Sequence, residues 1–545
     1  MTPSLQSAWT GLPAEVRDLL LIGSTGKPHL LQAARAAFAA GMVDLWSDLL
    51  VSACAEDPLD GDLAMQLAGP AAERGWGGAG LPQALRALAS QWRKPDNLGY
   101  YQRLAARRDP GRMWAYLEQQ TSRLPSLFWV SQTLALSVAE NEPERGLTML
   151  DAVCDLSPLL DKPRGDLLLL LGRFDQAAAA FERLGPLFGQ AQLDLWLGRV
   201  ALLAGDLSRA RGLLLAAVRR QPWRSSEILR LDEILQGRPA ETAEVPGEVA
   251  LCLYTCNKAG ELAATLESLL AADLAQARLF VLDNGSTDNA GQVLDAFQDR
   301  FSERMVRIDL PVNVGAAAAR NWLASLDEVR AADWVGYLDD DVELPADFLG
   351  RFGAAIQRLP GAFVYGCRVA DHAAPHLLQS VDYHLRYPEG TDLDALPEAD
   401  PSQLRPNPFQ VCKLHIQTLD WGQFDYLRPC LSVTGCCHLF PAESLRRSEG
   451  FSIQLSPSQY DDFEHDLRLA EQGGFAAYQG HLRVLHRKRT GRASHTSVSE
   501  EGNALGNFYK LQCAHPKSAI LPLLNQDAGR LQADLAQRIH RLDQA

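Results

Sequence analysis

Apolar positions fall into two regimes along this chain. Up to about residue 240 they recur at helical spacing, as at Leu30, Ala34, Ala37 and Phe38. That spacing lines one face of a 3.6-residue helix. The helical pattern breaks at Asp57-Pro58, Asp109-Pro110-Gly111 and Glu142-Pro143, where proline or glycine interrupts the backbone ladder. Beyond about 248, apolar runs of strand length at 249–254 and 278–282 alternate with amphipathic helices at 261–272 and 289–301. Alternation of this kind predicts an α/β domain with a mostly parallel sheet. Between the regimes lies a stretch rich in proline, glycine and acidic residues. The expected division is a helical domain over 1–240, a linker over 241–247, an α/β domain over 248–495 and a helical extension over 496–545.

The helical region repeats itself. Leu171-Gly172-Arg173-Phe174-Asp175-Gln176-Ala177 recurs as Ala204-Gly205-Asp206-Leu207-Ser208-Arg209-Ala210, a period of 33 residues, with a looser copy from Glu140 to Gly146. This resembles the tetratricopeptide repeat, a helix-pair unit of about 34 residues. The glycine is expected to permit a tight helix contact, and Ala177 and Ala210 to let the paired helix come close. A generic α-helical bundle is the alternative. A curved helical array of this kind is expected to bind a protein partner.

Composition narrows the class. At 545 residues the chain is too long for one core. Its 67 acidic against 52 basic residues give a net charge of −15, which argues against broad nucleic-acid binding. The ten cysteines include no Cys-x-x-Cys pair, so they read as free thiols of a reducing compartment. No apolar span reaches membrane length. The expectation is a soluble cytoplasmic protein, with peripheral contact at the inner membrane face left open.

The chemistry-bearing residues lie at the ends of the α/β strands. The first strand runs into Tyr254-Thr255-Cys256-Asn257-Lys258 and the second into Asp283-Asn284-Gly285-Ser286-Thr287-Asp288. In open α/β sheets, ligands bind at these carboxyl ends. A small-residue helix begins after Asn313-Val314-Gly315 and carries Arg320 and Asn321. The strand 334–338 ends in Asp339-Asp340-Asp341. Three adjacent carboxylates repel one another and suit a hard cation, Mg2+ or Mn2+. An Asp triplet alone is more often a solvated turn. The two upstream motifs reverse that preference.

Residues 248 to about 490 resemble a family 2 glycosyltransferase of the GT-A fold. Thr255, Asn257 and Lys258 match its Thr-x-Asn-Arg/Lys strand end, and residues 281–288 match its Val-x-Asp-Asn-Gly-Ser-Thr-Asp segment. Asn313, Gly315, Arg320 and Asn321 match its Asn-x-Gly…Ala-Arg-Asn segment, and Asp339 and Asp341 its Asp-x-Asp motif. Tyr254 stands where the family usually has proline. The resemblance implies that Asp283 meets the nucleobase, typically uracil, that Asp339 or Asp340 approaches the ribose, and that Asp341 binds metal.

The second half is less regular. Residues 372–430 read as an irregular insertion, and 432–440 as a strand whose Gly435 admits a donor sugar. Tyr460-Asp461-Asp462-Phe463-Glu464 opens a helix that continues to Arg468 and resembles the family's Glu-Asp-x-Asp…Arg motif. Asp461 then stands in the Glu position and Asp462 becomes the catalytic base, which would take a proton from an acceptor hydroxyl. Helix-terminal acidic residues and a Glu464–Arg468 ion pair are the plainer alternative. A strand at 482–486 ends in His486, for which the resemblance implies a place as metal ligand beside Asp339 and Asp341. The basic run 487–492 would cover the leaving diphosphate, or is a solvated loop.

The expected function is an inverting, metal-dependent transferase using a nucleoside-diphosphate sugar, UDP-linked by preference. Thr255, Asn257, Asp283, Asn313, Gly315, Arg320, Asp339, Asp340 and Gly435 would hold the donor. The acceptor would be a protein or a glycan, recruited with or through the helical repeats. The alternative is a non-catalytic scaffold with a degenerate transferase domain. A sugar-nucleotide pyrophosphorylase is disfavoured, because no Gly-rich loop with an arginine follows the first strand.

Overall fold

The computed structural model describes residues 4–107, 109–123, 126–412, 416, 418–489 and 497–545. The chain divides into two units: residues 1–236 with 418–423 and 535–545, and residues 237–417 with 424–534.

The first unit is built from helix pairs. Four of them share one turn: Lys27–Ala39 with Val43–Glu56, Leu127–Ala139 with Pro143–Ala152, Asp161–Leu170 with Phe174–Phe188, and Gln190–Leu203 with Leu207–Arg220. In each turn one residue is left-handed: Gly41, Asn141, Gly172 or Gly205. The next residue's N–H reaches back five positions, Arg173 to the Leu168 carbonyl and Asp206 to the Ala201 carbonyl, both at 2.9 Å. This is the hydrogen-bond closure of a Schellman cap. It corrects the expected role of the glycine. A Cβ added to Gly172 or Gly205 would meet nothing within 4 Å, so the glycine serves the turn conformation, not a close contact. Ala177 and Ala210 are fully buried, as close helix approach requires. The turn at Gly41 belongs to the same series, although its flanking residues do not reveal it.

The second unit is organised around a ten-stranded mixed sheet. Its principal strands are β1 (Val249–Thr255), β2 (Arg278–Asn284), β3 (Met305–Leu310), β4 (Trp334–Leu338), β5 (Val364–Asp371), β6 (Leu427–Cys430), β7 (Cys437–Pro441) and β8 (Ala476–His486). They lie in the order β6-β8-β5-β7-β4-β1-β2-β3. β3, β2, β1 and β4 are parallel, and β7 runs antiparallel between β4 and β5. The helices that matter for the site are α1 (Ala259–Ala271), α2 (Ala290–Phe301), α3 (Ala316–Ala324), α4 (Phe348–Arg358), α5 (Asp461–Glu471) and α6 (Val498–Ala514).

Strands β1, β2 and β4 are almost wholly buried, which is why they read as continuous apolar runs and not as alternating ones. Leu251, Leu253, Leu279 and Val281 pack with Leu262, Leu266 and Leu269 of α1 and with Leu294 and Phe297 of α2 in one core. Residues 241–247 have no regular structure and lie against α4, the Ala243 N–H donating to the Gly350 carbonyl at 2.8 Å.

One strand differs from expectation. The run 432–440 joins the sheet only from Cys437. Before it, the Val433 N–H turns to the Asp466 carboxylate (3.3 Å) and the Gly435 N–H to Asp462 (2.6 Å). Carboxylates on α5 thus take amides that a sheet neighbour would otherwise have taken. Among the described residues, no helix is long and apolar enough to cross a membrane.

Candidate active site

Parallel pairing of β1 with β2 sets Thr255 beside Asp283, where both strands end. The Thr255 hydroxyl donates to Asp340 Oδ2 at 2.7 Å. Asn257 ties the two strand-end loops together. Its Oδ1 accepts the Thr287 N–H at 2.7 Å, and its own N–H donates to Ser286 Oγ at 3.0 Å. Asp283 accepts the Ser286 N–H at 2.9 Å. Asn284 donates to Asn313 Oδ1 (3.0 Å), which also accepts the Gly315 N–H (2.8 Å). This chain of side-chain-to-backbone bonds fixes the turn that starts α3 and aims Arg320.

The acidic triplet after β4 is held by fixed cations. Lys258 Nζ sits 2.8 Å from Asp340 Oδ1 and 2.9 Å from Asp341 Oδ2. One ligand atom each from Asp339, Asp341 and His486 lie within 4.8 Å of one another. His486 Nε2 stands 3.0 Å from Asp341 Oδ1, a buried oxygen that no donor of ordinary geometry satisfies. The imidazole's other nitrogen is taken, because Nδ1 lies 2.8 Å from Gln379 Oε1. The Gln379 amide N–H2 donates to the Lys488 carbonyl at 3.0 Å, which fixes Oε1 toward the ring. In the neutral ring Nδ1 therefore carries the proton and Nε2 presents a lone pair to a carboxylate oxygen, whereas Asp341 and Asp339, against burial, favour the protonated ring. Two acceptors face to face call for a shared proton or a cation. Two carboxylates and an oriented imidazole fit Mn2+ or Mg2+. Burial pushes the Asp339 carboxyl up to about 6, with the Asp341 charge adding to it and Arg320 opposing. For Asp341, burial works the same way, but His486 and Lys258 outweigh it and hold the carboxyl below the ordinary range.

Across the cleft, α5 begins with two carboxylates. Arg320, itself buried, bonds Asp461 at 2.5 Å and lies 3.7 Å from Asp339. Its guanidinium also faces the Tyr254 and Phe451 rings at 5.3 Å. Tyr254 thus supplies an aromatic face to Arg320, which a proline there would lack. Asp462 accepts backbone N–H bonds from Gly435 (2.6 Å) and Phe463 (2.8 Å). A Cβ on Gly435 would lie 2.7 Å from Asp462 Oδ2 and 2.9 Å from an Arg320 nitrogen, so only glycine fits this approach. Burial and the neighbouring Asp461 push the Asp462 carboxyl up to about 6 against Arg320. One turn on, Asp466 accepts the Ser432 hydroxyl at 2.6 Å and pins the loop that carries Gly435.

A cavity of about 910 Å3 joins these parts. Lys258, Asn313, Arg320, Asp339, Asp340 and Asp341 line it together with Gly435, Asp461, Asp462 and His486. Thr255, Asn257, Asp283 and Gly315, also expected to hold the donor, do not line it. Arg468 is placed elsewhere: it bonds Glu464 at 2.8 Å and the Ser448 and Gly450 carbonyls, bracing α5 against the preceding loop. Of the basic run, Lys488 and Arg489 reach the cavity, while 490–492 lie outside the described residues. Three contributors escaped the sequence reading. Lys258 was matched to a motif without a task. Gln379 lies in an insertion without pattern. Asp466 carried one usable signal, its i,i+4 spacing from Asp462 on a single helix face.

Residues 251–400 match Glycosyl transferase family 2, so the α/β unit carries a family 2 glycosyltransferase domain. The match ends before Gly435, Asp461, Asp462 and His486, which the fold alone brings to the cleft. Comparison with curated proteins gives no match. Among solved structures, GalNAc-T7 with UDP, GalNAc and Mn2+ is similar at 13% identity over 49% of this chain and 47% of that chain, with a TM-score of 0.35. The mannosyltransferase PcManGT from Pyrobaculum calidifontis, in complex with GDP-Man and Mn2+, aligns at 15% identity over 62% of this chain and 87% of that one, TM-score 0.32. S. aureus TarS 1-349 aligns at 15% identity over 45% and 59%, TM-score 0.26. The chain thus spans about half the length of the first of these.

Proposed function

We propose that this protein is an inverting, metal-dependent glycosyltransferase that moves a sugar from a nucleoside-diphosphate sugar, UDP-linked by preference, to an acceptor hydroxyl. The observation that carries the reading is that one cavity holds both a cation-ready triad, Asp339, Asp341 and His486, and a separately held carboxylate, Asp462. The nucleoside lies along the strand ends of β1 and β2, with Asp283 toward the base and Asp340 toward the ribose. Asp339, Asp341 and His486 would hold Mn2+ or Mg2+, which would supply positive charge against the leaving diphosphate.

Asp462 takes the proton of the acceptor hydroxyl as that oxygen attacks the anomeric carbon. The bond from that carbon to the diphosphate oxygen breaks, and the configuration inverts. A carboxyl titrating at about 6 is ionised at neutral pH yet more basic than an ordinary one, as a general base should be. Arg320 holds Asp461 against the start of α5 and so keeps Asp462 in place. The helical unit recruits the acceptor, a protein or a glycan. Retention of Asp339, Asp341 and Asp462 speaks against a degenerate scaffold.

The test is thermal stabilisation and donor hydrolysis with UDP-, GDP- and dTDP-sugars, with and without Mn2+, beside Asp341→Ala. Metal-dependent stabilisation by one donor class, lost in the variant, is the expected result. No response to any donor with Mn2+ or Mg2+ sinks the reading.

A further inference from the structure

The acidic triplet and its cations are unequally matched. Asp339, Asp340 and Asp341 bring three carboxylates to one strand end. Arg320 is committed chiefly to Asp461 at 2.5 Å, with Asp339 farther off at 3.7 Å. Lys258 is therefore the principal fixed counter-charge of Asp340 and Asp341, bonding both below 3 Å. Its placement is specific. Asp341 turns Oδ2 to the ammonium and Oδ1 to His486. The lysine and the cation-ready triad share one carboxylate, on the wall of one cavity.

We propose that Lys258 makes metal binding depend on the nucleotide: its ammonium weakens the binding of a divalent cation alone and is repaid when a diphosphate enters. The inference rests on the reading that a metal and a nucleoside diphosphate share this cleft. A dication on Asp339, Asp341 and His486 faces a like charge across a single carboxylate, inside a partly desolvated cavity where such repulsion is strong. The same lysine also draws electron density from Asp341, the ligand it shares. A diphosphate reverses the balance, because its negative oxygens attract the ammonium and the dication together. Metal and nucleotide then bind with positive coupling, and linkage makes that coupling reciprocal. Lysine suits the task, since its flexible four-carbon stem lets a point charge turn from carboxylate to phosphate. The side chain is 39% exposed and lines the cavity. Order follows from the charges: the site stays poorly metallated until a donor arrives, which protects it from holding metal without substrate.

The experiment measures Mn2+ binding to the full chain by electron paramagnetic resonance of free Mn2+, alone and with saturating UDP or GDP. Native protein is compared with Lys258→Met, Lys258→Gln and Lys258→Arg, with Asp341→Asn as the site control and thermal melts in chelator reporting the fold of each. Without nucleotide, Lys258→Met and Lys258→Gln should bind Mn2+ about tenfold more tightly than native. The gain that the nucleotide gives to Mn2+ affinity should shrink by the same factor, while Lys258→Arg, which keeps the charge, retains more of that gain than either charge-free variant. Equal Mn2+ affinity in native and charge-free variants, or undiminished coupling, overturns the role of Lys258 and leaves the transferase reading standing. Native protein that binds no Mn2+ even with either nucleotide overturns the metal reading and this inference together.

Discussion

Both units bury charge, and they do so differently. In the helical unit, several buried charges are paired among themselves, and the buried Arg224 is held by the neutral Gln221, Gln192 and Ser52 side chains. Arg199 lies 3.3 Å from both Glu56 and Glu227, Lys162 bonds Asp166 at 2.6 Å, and Arg538 bonds Glu233 at 2.8 Å and Asp232 at 3.1 Å. Burial works against the charged form of Glu56, but Arg199, Lys162 and Arg224 overcome it and leave its carboxyl below the ordinary range. In the α/β cleft the account stays open. Three consecutive aspartates share one lysine and part of an arginine, Asp339 is pushed up to about 6, and Asp341 Oδ1 lies 3.0 Å from the His486 ring without a donor of ordinary geometry. A closed network is a structural device, whereas an open one at strand ends is built to receive something.

The sharpest break of this comparison is Asp462→Asn. The amide keeps the shape and can still meet the Gly435 loop, but it cannot accept the acceptor's proton. Turnover should fall about a thousandfold, with donor stabilisation by Mn2+ retained. An equal loss of both would mean that Asp462 holds the donor and is not the base.

The matching cut in the helical unit is Arg199→Met. It removes the nearest cation from Glu56 and Glu227 and leaves them the more distant Lys162 and Arg224, so stability should drop by about 3 kcal/mol, the lower end for broken buried pairs. Chemical denaturation would read this, and Mn2+ affinity should not move. A smaller effect is expected from Gln379→Leu. Losing the partner that fixes the His486 tautomer should weaken Mn2+ binding by about 10–100-fold, seen by calorimetry in the presence of UDP. Unchanged affinity would mean that the imidazole is oriented without Gln379.

These residues also mark how far the sequence could be read. β1, β2 and β4 were legible because buried parallel strands are continuous apolar runs that end in polar motifs. Asp339 and Asp341 followed directly, since they trail such a strand. The turn glycines were located correctly and explained wrongly. A left-handed cap and a close contact leave the same letter in the sequence, and only the empty space around Gly172 separates them. The Gly435 strand failed for a different reason. Apolar flanks at 432–440 satisfied the strand pattern, but the competing acceptors, Asp462 and Asp466, lie about thirty residues downstream. No local pattern records a bond at that separation. Gln379 is the extreme case: its whole importance is one nitrogen of His486, 107 positions away.

The mildest perturbation is pH, and it tests the open cleft without altering a residue. Asp462 must be ionised to accept a proton, and burial with Asp461 has raised it to about 6. With Mn2+ and donor saturating, the rate should be flat above that value and fall about tenfold per unit below it. Stability should move the opposite way. Between the ordinary carboxylate range and about 6, the folded chain binds this proton more tightly than the unfolded chain does. The Asp462 contribution therefore declines as pH rises through that window. Subtracting the pH–stability profile of Asp462→Asn from that of the native chain isolates this slope from the similar one of Asp339. Activity that rises while this difference falls, over the same two pH units, is the signature of a base held uncomfortably in place. A flat difference profile would show that Asp462 titrates as an ordinary aspartate and that the cleft is no more strained in charge than the helical unit.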